Sequence, residues 1–210
     1  MNQLKQFGII PFSTGTLKLL LSNYKSPNDK ISELMASGEI MQIKKGMYIV
    51  SSEYRNQNIS KEILANLIYG PSYVSLDFAL SYYGMIPERV MITTSITPKR
   101  SKIFSTLFGE FTYTHSPINY YHIGISQEKN ENQFNFLIAS PEKALCDKIV
   151  FTKKLNLYSV SSMRYFLFDD LRIDFQNIKK LDLSIIEECI AVGPKQNELK
   201  LLLKTIKKSE

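Results

Sequence analysis

Apolar positions recur at helical spacing twice in the first part of the chain, before two short β-prone runs. Leu17, Leu20 and Leu21 share one face of a first predicted helix, which Ser13 or Thr14 can cap. A polar turn follows directly after the last of these leucines. The pattern therefore predicts a short helix that buries a single leucine face.

A second helix is predicted to begin at the serine–proline pair 26–27, because serine caps helices and proline suits their first turn. Ile31, Leu34 and Met35 then lie at helical spacing, and Gly38 ends the helix. The three apolar side chains would anchor this helix to a core. Its polar positions would consequently face outward.

Two β-prone runs at 40–43 and 47–50 follow, separated by the lysine-rich turn 44–46, and they predict a β-hairpin. The resulting order is helix, turn, helix and β-hairpin. This order is typical of a winged helix-turn-helix, in which the second helix enters the major groove and the hairpin lies along the DNA backbone.

The candidate DNA contacts of this segment are Lys25, Asn28, Lys30, Ser32, Lys44 and Lys45. Asn28 and Ser32 are the best candidates for base contacts, because asparagine can bind adenine with two hydrogen bonds and serine can bind either base edge. The first two lysines flank them for phosphate or guanine, and the other two occupy the hairpin tip. Asp29 and Glu33 argue against a uniformly phosphate-binding face.

The polar stretch 51–58 predicts a domain boundary between an N-terminal domain at 1–55 and a second domain at 60–210. The chain carries 26 basic and 20 acidic residues, a formal net charge of +6. Half of this excess falls in the first 55 residues, so the charge density is about three times higher there. A polyanionic partner is compatible with this distribution.

The remaining chain mixes helical and β-prone patterns. Serine caps predict helices that begin near Ser60, Ser75 and Ser140. Strands are predicted at 90–96, 104–107, 111–114 and 134–138, and further helices near 161–169, 184–191 and 195–207. The expected fold class is α+β, with a winged helix-turn-helix followed by a mixed α+β domain that has a small, mainly antiparallel sheet.

The second domain has its densest basic cluster at Lys99, Arg100 and Lys102. One interpretation is an exposed loop that only favours solubility. The other is a second phosphate-binding patch, or a docking surface for an acidic or RNA-like partner.

Several function classes lack their sequence signatures. The glycine motifs of P-loop, dinucleotide-binding and serine-hydrolase sites do not occur. Cys146 and Cys189 have no C-x-x-C spacing and no nearby histidine, so they are expected to be reduced core thiols. No apolar run approaches the roughly 18 residues of a membrane helix. We therefore expect a cytoplasmic protein with no enzymatic activity, catalytic residue, cofactor, metal or membrane partner.

Two alternative functions remain open. One is a metal-dependent nuclease, for which Glu198 and Lys200 have a suitable spacing, with Asp182 upstream, although their segment is helical in pattern. Metal dependence would distinguish this enzyme from a DNA-binding protein. The other is an adaptor whose winged domain binds only protein.

Separated motifs, in order along the chain, resemble the abortive-infection antitoxin family AbiEi, whose members are described as predicted transcriptional regulators of viral defence systems. They are KIS at 30–32, Leu34, GEI at 38–40, KKGMY at 44–48, GPSYVSL at 70–76, ALSYYG at 79–84 and ASPEKALCD at 139–147. The resemblance extends most closely over 30–151 and more loosely over the whole chain.

The resemblance implies a component of a type IV toxin–antitoxin system. Its N-terminal winged helix would repress its own operon at inverted repeats in double-stranded DNA, and its second domain would counter a nucleotidyltransferase toxin, with or without physical contact. Glu33 departs from the basic residue of many relatives, which affects the details of base recognition. No catalytic role is transferred to Glu142, Lys143 or Asp147.

Overall fold

The computed structural model describes residue 4 and residues 6–55, 57–131 and 133–208, and its architecture is mixed α+β. The first segment contains β1 (Phe12–Ser13), α1 (Thr14–Leu20), α2 (Pro27–Ala36), β2 (Ile40–Lys44) and β3 (Met47–Val50). The three strands form an antiparallel sheet in the order β1-β3-β2. The predicted order of two helices and a hairpin is confirmed, with one short strand added before α1.

Local sequence signals account for the two helices. The Ser13 side chain accepts a hydrogen bond from the backbone N–H of Thr16 and caps α1, as predicted. Pro27 occupies the first turn of α2, where its missing N–H has no intrahelical acceptor. Ile31 and Leu34 are buried, so α2 presents one apolar face to the core and its polar face to solvent.

The central strand β3 is buried on both faces. Tyr48 and Val50 pack with the leucines and isoleucines of α1 and α2 in a small apolar cluster. Ile49, together with Ile43 of β2 and Ile9, belongs instead to the large core that contains the helices and sheet of residues 60–208. The two segments therefore share a continuous core, although a polar stretch separates them in the sequence.

The second segment forms a six-stranded sheet with helices packed on it. Its strands are β4 (Tyr73–Val74), β5 (Thr93–Thr97), β6 (Lys102–Thr106), β7 (Gly109–His115), β8 (Ile125–Lys129) and β9 (Asn135–Ala139). The spatial order is β6-β7-β5-β4-β9-β8. The β4–β9 and β5–β7 pairs are parallel, and the other pairs are antiparallel.

The expectation of a mainly antiparallel sheet is therefore corrected to a mixed sheet. The reason is that β7 inserts between β5 and β6, which are consecutive in sequence, and that β9 returns beside β4. Such crossovers depend on packing between distant segments, so a local alternation of apolar residues does not indicate them.

The helices of the second segment are α3 (Lys61–Ile68), α4 (Leu76–Tyr82), α5 (Ile118–Tyr121), α6 (Pro141–Phe151), α7 (Val160–Tyr165), α8 (Phe175–Ile178), α9 (Leu183–Val192) and α10 (Gln196–Lys207). A π-helical turn at Phe166–Asp170 continues α7, and a 3₁₀ turn at Ser52–Tyr54 follows the hairpin. The first of these helices packs on β4, β5 and β9, whereas α9 and α10 pack on α6. Among the described residues, no helix is both long enough and apolar enough to cross a bilayer.

Candidate nucleic-acid interface

Three lysines and two aromatic rings meet where the N-terminal hairpin packs on the second segment. Lys44 Nζ lies 5.2 Å from the centroid of the Phe104 ring, and Lys102 Nζ lies 4.9 Å from the same centroid. Lys99 Nζ lies 5.4 Å from the centroid of the Tyr69 ring. The two rings are themselves 5.6 Å apart. We call this cluster the basic junction.

Backbone carbonyls at the C-terminal end of α3 and two residues beyond it position two of these lysines. Lys44 Nζ donates a hydrogen bond to the Ile68 carbonyl at 2.5 Å, and Lys99 Nζ donates one to the Gly70 carbonyl at 2.5 Å. The last carbonyls of a helix lack intrahelical donors and carry partial negative charge. Lysines from two distant parts of the chain therefore converge on one helix end.

The positive charge of the basic junction is not balanced by acidic side chains in the described part of the chain. Lys44, Lys99 and Lys102 form no ion pair there. The pKa of Lys44 is lowered, mainly by burial and also by repulsion from the other two ammonium groups. A bound anion would relieve this repulsion, because it would place negative charge among three cations.

The other predicted cations of both patches lie outside these ring contacts, although Lys99 and Lys102 of the basic junction are exposed as well. Lys25 and Lys45 are exposed, as is Arg100 of the β5–β6 loop. Lys45 follows Lys44 directly at the hairpin turn, so an exposed cation adjoins the basic junction. These side chains are accessible to a phosphate without prior rearrangement of the core.

Asn28 and Ser32 lie one helical turn apart on the exposed side of α2. The Ser32 hydroxyl donates a hydrogen bond to the Asn28 carbonyl at 3.2 Å. This bond orients the serine hydroxyl towards the helix backbone, and Asn28 is itself exposed. Both side chains are therefore in the exposed position that their predicted base contacts require.

Lys30 interacts with a carboxylate of its own helix. Its Nζ lies 2.6 Å from Glu33 Oε1 and 5.4 Å from the centroid of the Tyr24 ring. The hydrogen bond to Glu33 raises the pKa of Lys30. A phosphate would have to compete with Glu33 for this ammonium, whereas Lys25 has no such neighbour described.

The sequence placed Lys44 in one predicted patch and Lys99 and Lys102 in another, and the structure brings them together. The roles of Tyr69 and Phe104 in this cluster were missed. One signal was available: the run 48–50 is apolar without alternation, which indicates a strand buried on both faces. A second buried face means that the hairpin must pack on another part of the chain.

The ASPEKALCD motif forms a buried polar network instead of a surface site. Lys143 Nζ lies 3.1 Å from Asp147 Oδ1, and both side chains are inaccessible to solvent. Asp147 Oδ2 accepts hydrogen bonds from the Ser75 hydroxyl at 2.6 Å and the Tyr73 hydroxyl at 3.1 Å. Burial, followed by the charge of Asp147, raises the pKa of Tyr73 well above its usual value.

The same network links several elements of the second segment. Lys143 Nζ donates to the Tyr120 carbonyl at 3.0 Å and lies over the Tyr120 ring. Glu142 Oε1 accepts a hydrogen bond from the backbone N–H of Asp182, just before α9. The motif residues therefore connect α5, α6 and α9 and have a structural explanation.

The candidate nuclease residues and the two cysteines form no metal-binding group in the described residues. No group of three or more His, Cys, Asp or Glu side chains is arranged there to hold a metal ion. Glu198 and Lys200 both lie on α10, and Asp182 caps α9. Cys146 and Cys189 are buried and unpaired, so their predicted core location is confirmed.

Comparison of this chain with protein-family models and with curated protein sequences finds no match. The candidate interface is therefore defined by the contacts, exposure and charges described above. Its distinguishing feature is that cations from both segments meet at the Tyr69 and Phe104 rings.

Proposed function

We propose that this chain is a DNA-binding transcriptional repressor and antitoxin of the AbiEi type. In this proposal the first segment is a winged helix-turn-helix, α2 is its recognition helix, and β2 and β3 form a short wing. The proposal is supported by the order β1-α1-α2-β2-β3 and by the three-stranded antiparallel sheet. It also agrees with the sequence motifs that resemble this antitoxin family.

The basic junction is the observation that carries the nucleic-acid part of the proposal. Three ammonium groups without a described acidic partner lie beside the hairpin that would follow the DNA backbone. In our proposal, exposed Lys25, Lys45 and Arg100 contact phosphates and contribute affinity without base preference. Asn28 and Ser32 then supply sequence discrimination from the major groove.

The shared core gives the wing a fixed position relative to the second segment. Because Ile43 and Ile49 are buried against that segment, the hairpin and the β5–β6 loop would approach DNA as one rigid surface. Binding to inverted repeats would then place two copies of the chain on one operator, each on its own half-site.

The antitoxin activity is assigned to residues 60–210, and its proposed target is a nucleotidyltransferase toxin. This part of the proposal is supported by the motifs at 70–76, 79–84 and 139–147. Those residues lie mainly in the core, so we propose that they maintain the fold of the antitoxin domain and do not themselves contact the toxin.

The proposal is tested by comparing the affinity of the protein for the DNA upstream of its own gene with its affinity for scrambled duplex. Asn28→Ala and Ser32→Ala are each expected to reduce the preference for the upstream DNA by about 1–3 kcal/mol per lost base contact. The affinity for scrambled duplex should change less. Gln127→Ala, an exposed change on β8, serves as the matched control. Unchanged ratios in both variants would show that α2 does not recognise the sequence.

The same samples distinguish the nuclease alternative. Incubation of the duplex with Mg²⁺ and with EDTA, followed by electrophoresis, should leave the DNA intact in both cases. Cleavage that requires Mg²⁺ and persists in freshly purified protein would instead support a metal-dependent nuclease.

A further inference from the structure

A groove lies between α10 and the loop that precedes α7. Its volume is about 450 Å³, and its lining residues are Leu157, Tyr158, Asn197, Glu198, Lys200, Leu201 and Lys204. None of these residues belongs to the basic junction. The groove combines an exposed aromatic ring, two lysines and an amide, with one acidic side chain among them.

Tyr158 has the greatest exposure of any large apolar side chain in the described residues, 83%. Leu157 beside it is buried, and this neighbour anchors the loop to the core. The structure gives the Tyr158 side chain no hydrogen bond or ring contact within the described part of the chain. An aromatic ring held in this way offers a face to a planar ligand.

Lys200 and Lys204 lie one turn apart on the exposed side of α10, because Leu199 and Leu202 bury the opposite side. Four residues of an α-helix rise by about 6 Å. This separation is comparable to one nucleotide step in an extended strand. Neither lysine forms an ion pair with a described residue, whereas Lys207 of the same helix pairs with Glu187.

We propose that this groove binds single-stranded nucleic acid. One base stacks on the Tyr158 ring, Lys200 and Lys204 contact successive phosphates, and the Asn197 amide lies within the same groove to bind a base edge or sugar. Stacking on an aromatic ring tolerates every base, and lysines follow the backbone charge, so this combination suits a single strand of any sequence. A duplex hides its base faces and would not use the ring.

This inference does not depend on operator binding, since the two surfaces share no residue. The test measures fluorescence anisotropy of labelled oligo(U) and oligo(dT) of about twelve nucleotides. Unlabelled random duplex is present in excess to occupy any duplex-binding surface. Tyr158→Ala is expected to weaken binding about fivefold or more, whereas Tyr158→Phe, which keeps the ring, should bind like the wild type.

Tyr165→Ala is the matched control, because Tyr165 is also a strongly exposed tyrosine but lies outside the groove. If it weakens binding as much as Tyr158→Ala, or if Tyr158→Ala binds like the wild type, the proposal is wrong. Absence of binding of both oligonucleotides to the wild-type protein at low salt would also overturn it.

The lysines are tested through the salt dependence of binding. Lys200→Gln with Lys204→Gln is expected to reduce the slope of log K against log salt by about 0.7 for each lost phosphate contact. Lys179→Gln with Lys180→Gln removes the same charge from exposed positions outside the groove and should leave most of the slope unchanged. Equal losses in the two double variants would show that only net charge matters and would contradict the groove.

Discussion

Replacing Asp147 by Asn is expected to destabilise the protein strongly, because it removes the counter-charge of a buried ammonium. Lys143 and Asp147 are both inaccessible to solvent, and their charged atoms are 3.1 Å apart. Removing one partner of a buried ion pair typically costs about 3–5 kcal/mol. With a denaturant slope of about 2 kcal/mol per molar urea, the unfolding midpoint should fall by about 2 M.

A double variant separates the destabilisation caused by an unpaired buried charge from the contribution of the ion pair to the free energy of unfolding. Lys143→Met with Asp147→Leu removes both charges, but it leaves the hydroxyls of Ser75 and Tyr73 without their shared acceptor. Buried unsatisfied groups cost about 1–3 kcal/mol each. Two such groups cost about 2–6 kcal/mol together, so we expect the double variant to be less stable than the wild type although it carries no unpaired charge.

The assay is urea unfolding followed by circular dichroism for the wild type, Asp147→Asn, Lys143→Met and the double variant. Duplex binding is measured in parallel at a temperature where every variant is folded, and it should be unchanged. A loss of less than 1 kcal/mol in Asp147→Asn would refute the structural explanation. Lost DNA binding in a folded Asp147→Asn protein would give the motif a functional role.

Further predictions concern the junction and the two segments. Lys45→Ala with Arg100→Ala should weaken binding to operator and random duplex alike. It should also lower the slope of log K against log salt by about 0.9 per lost phosphate contact. An unchanged slope would place both side chains away from DNA. Lys44→Ala should also lower the melting temperature, unlike Lys45→Ala, because its ammonium satisfies a carbonyl at the end of α3. Residues 60–210 expressed alone should protect cells from the proposed nucleotidyltransferase toxin but not repress a promoter reporter, and should melt below the full chain because an apolar face is exposed. Loss of protection by a folded fragment would refute this assignment.

Local signals in the sequence were sufficient for most helices. Ser13, Ser60 and Ser140 accept hydrogen bonds from the first turn of the helices that they were predicted to cap. These predictions succeed because a cap is formed by residues three apart in the sequence. The strand β8 was missed, because ISQEK is mostly polar, and β4 was missed because it has only two residues.

Features that depend on distant segments could not be predicted in the same way. β7 lies between β5 and β6 in the assembled sheet. The short β-prone runs of the sequence do not indicate which strand pairs with which, so this order could not be predicted from them. The basic junction likewise requires Ile43 and Ile49 to bury one face of the hairpin against the second segment. Its lysines were identified individually, but their convergence on the end of α3 is a property of the folded chain.

The most direct test of the proposed repressor is the ratio of two dissociation constants of the wild-type protein. One is measured for the duplex upstream of its own gene, and the other for a scrambled duplex of equal length and composition, both at physiological salt. A sequence-specific DNA-binding protein should prefer its site by about 10³-fold or more. Equal constants for the two duplexes would contradict the proposal that this chain recognises an operator.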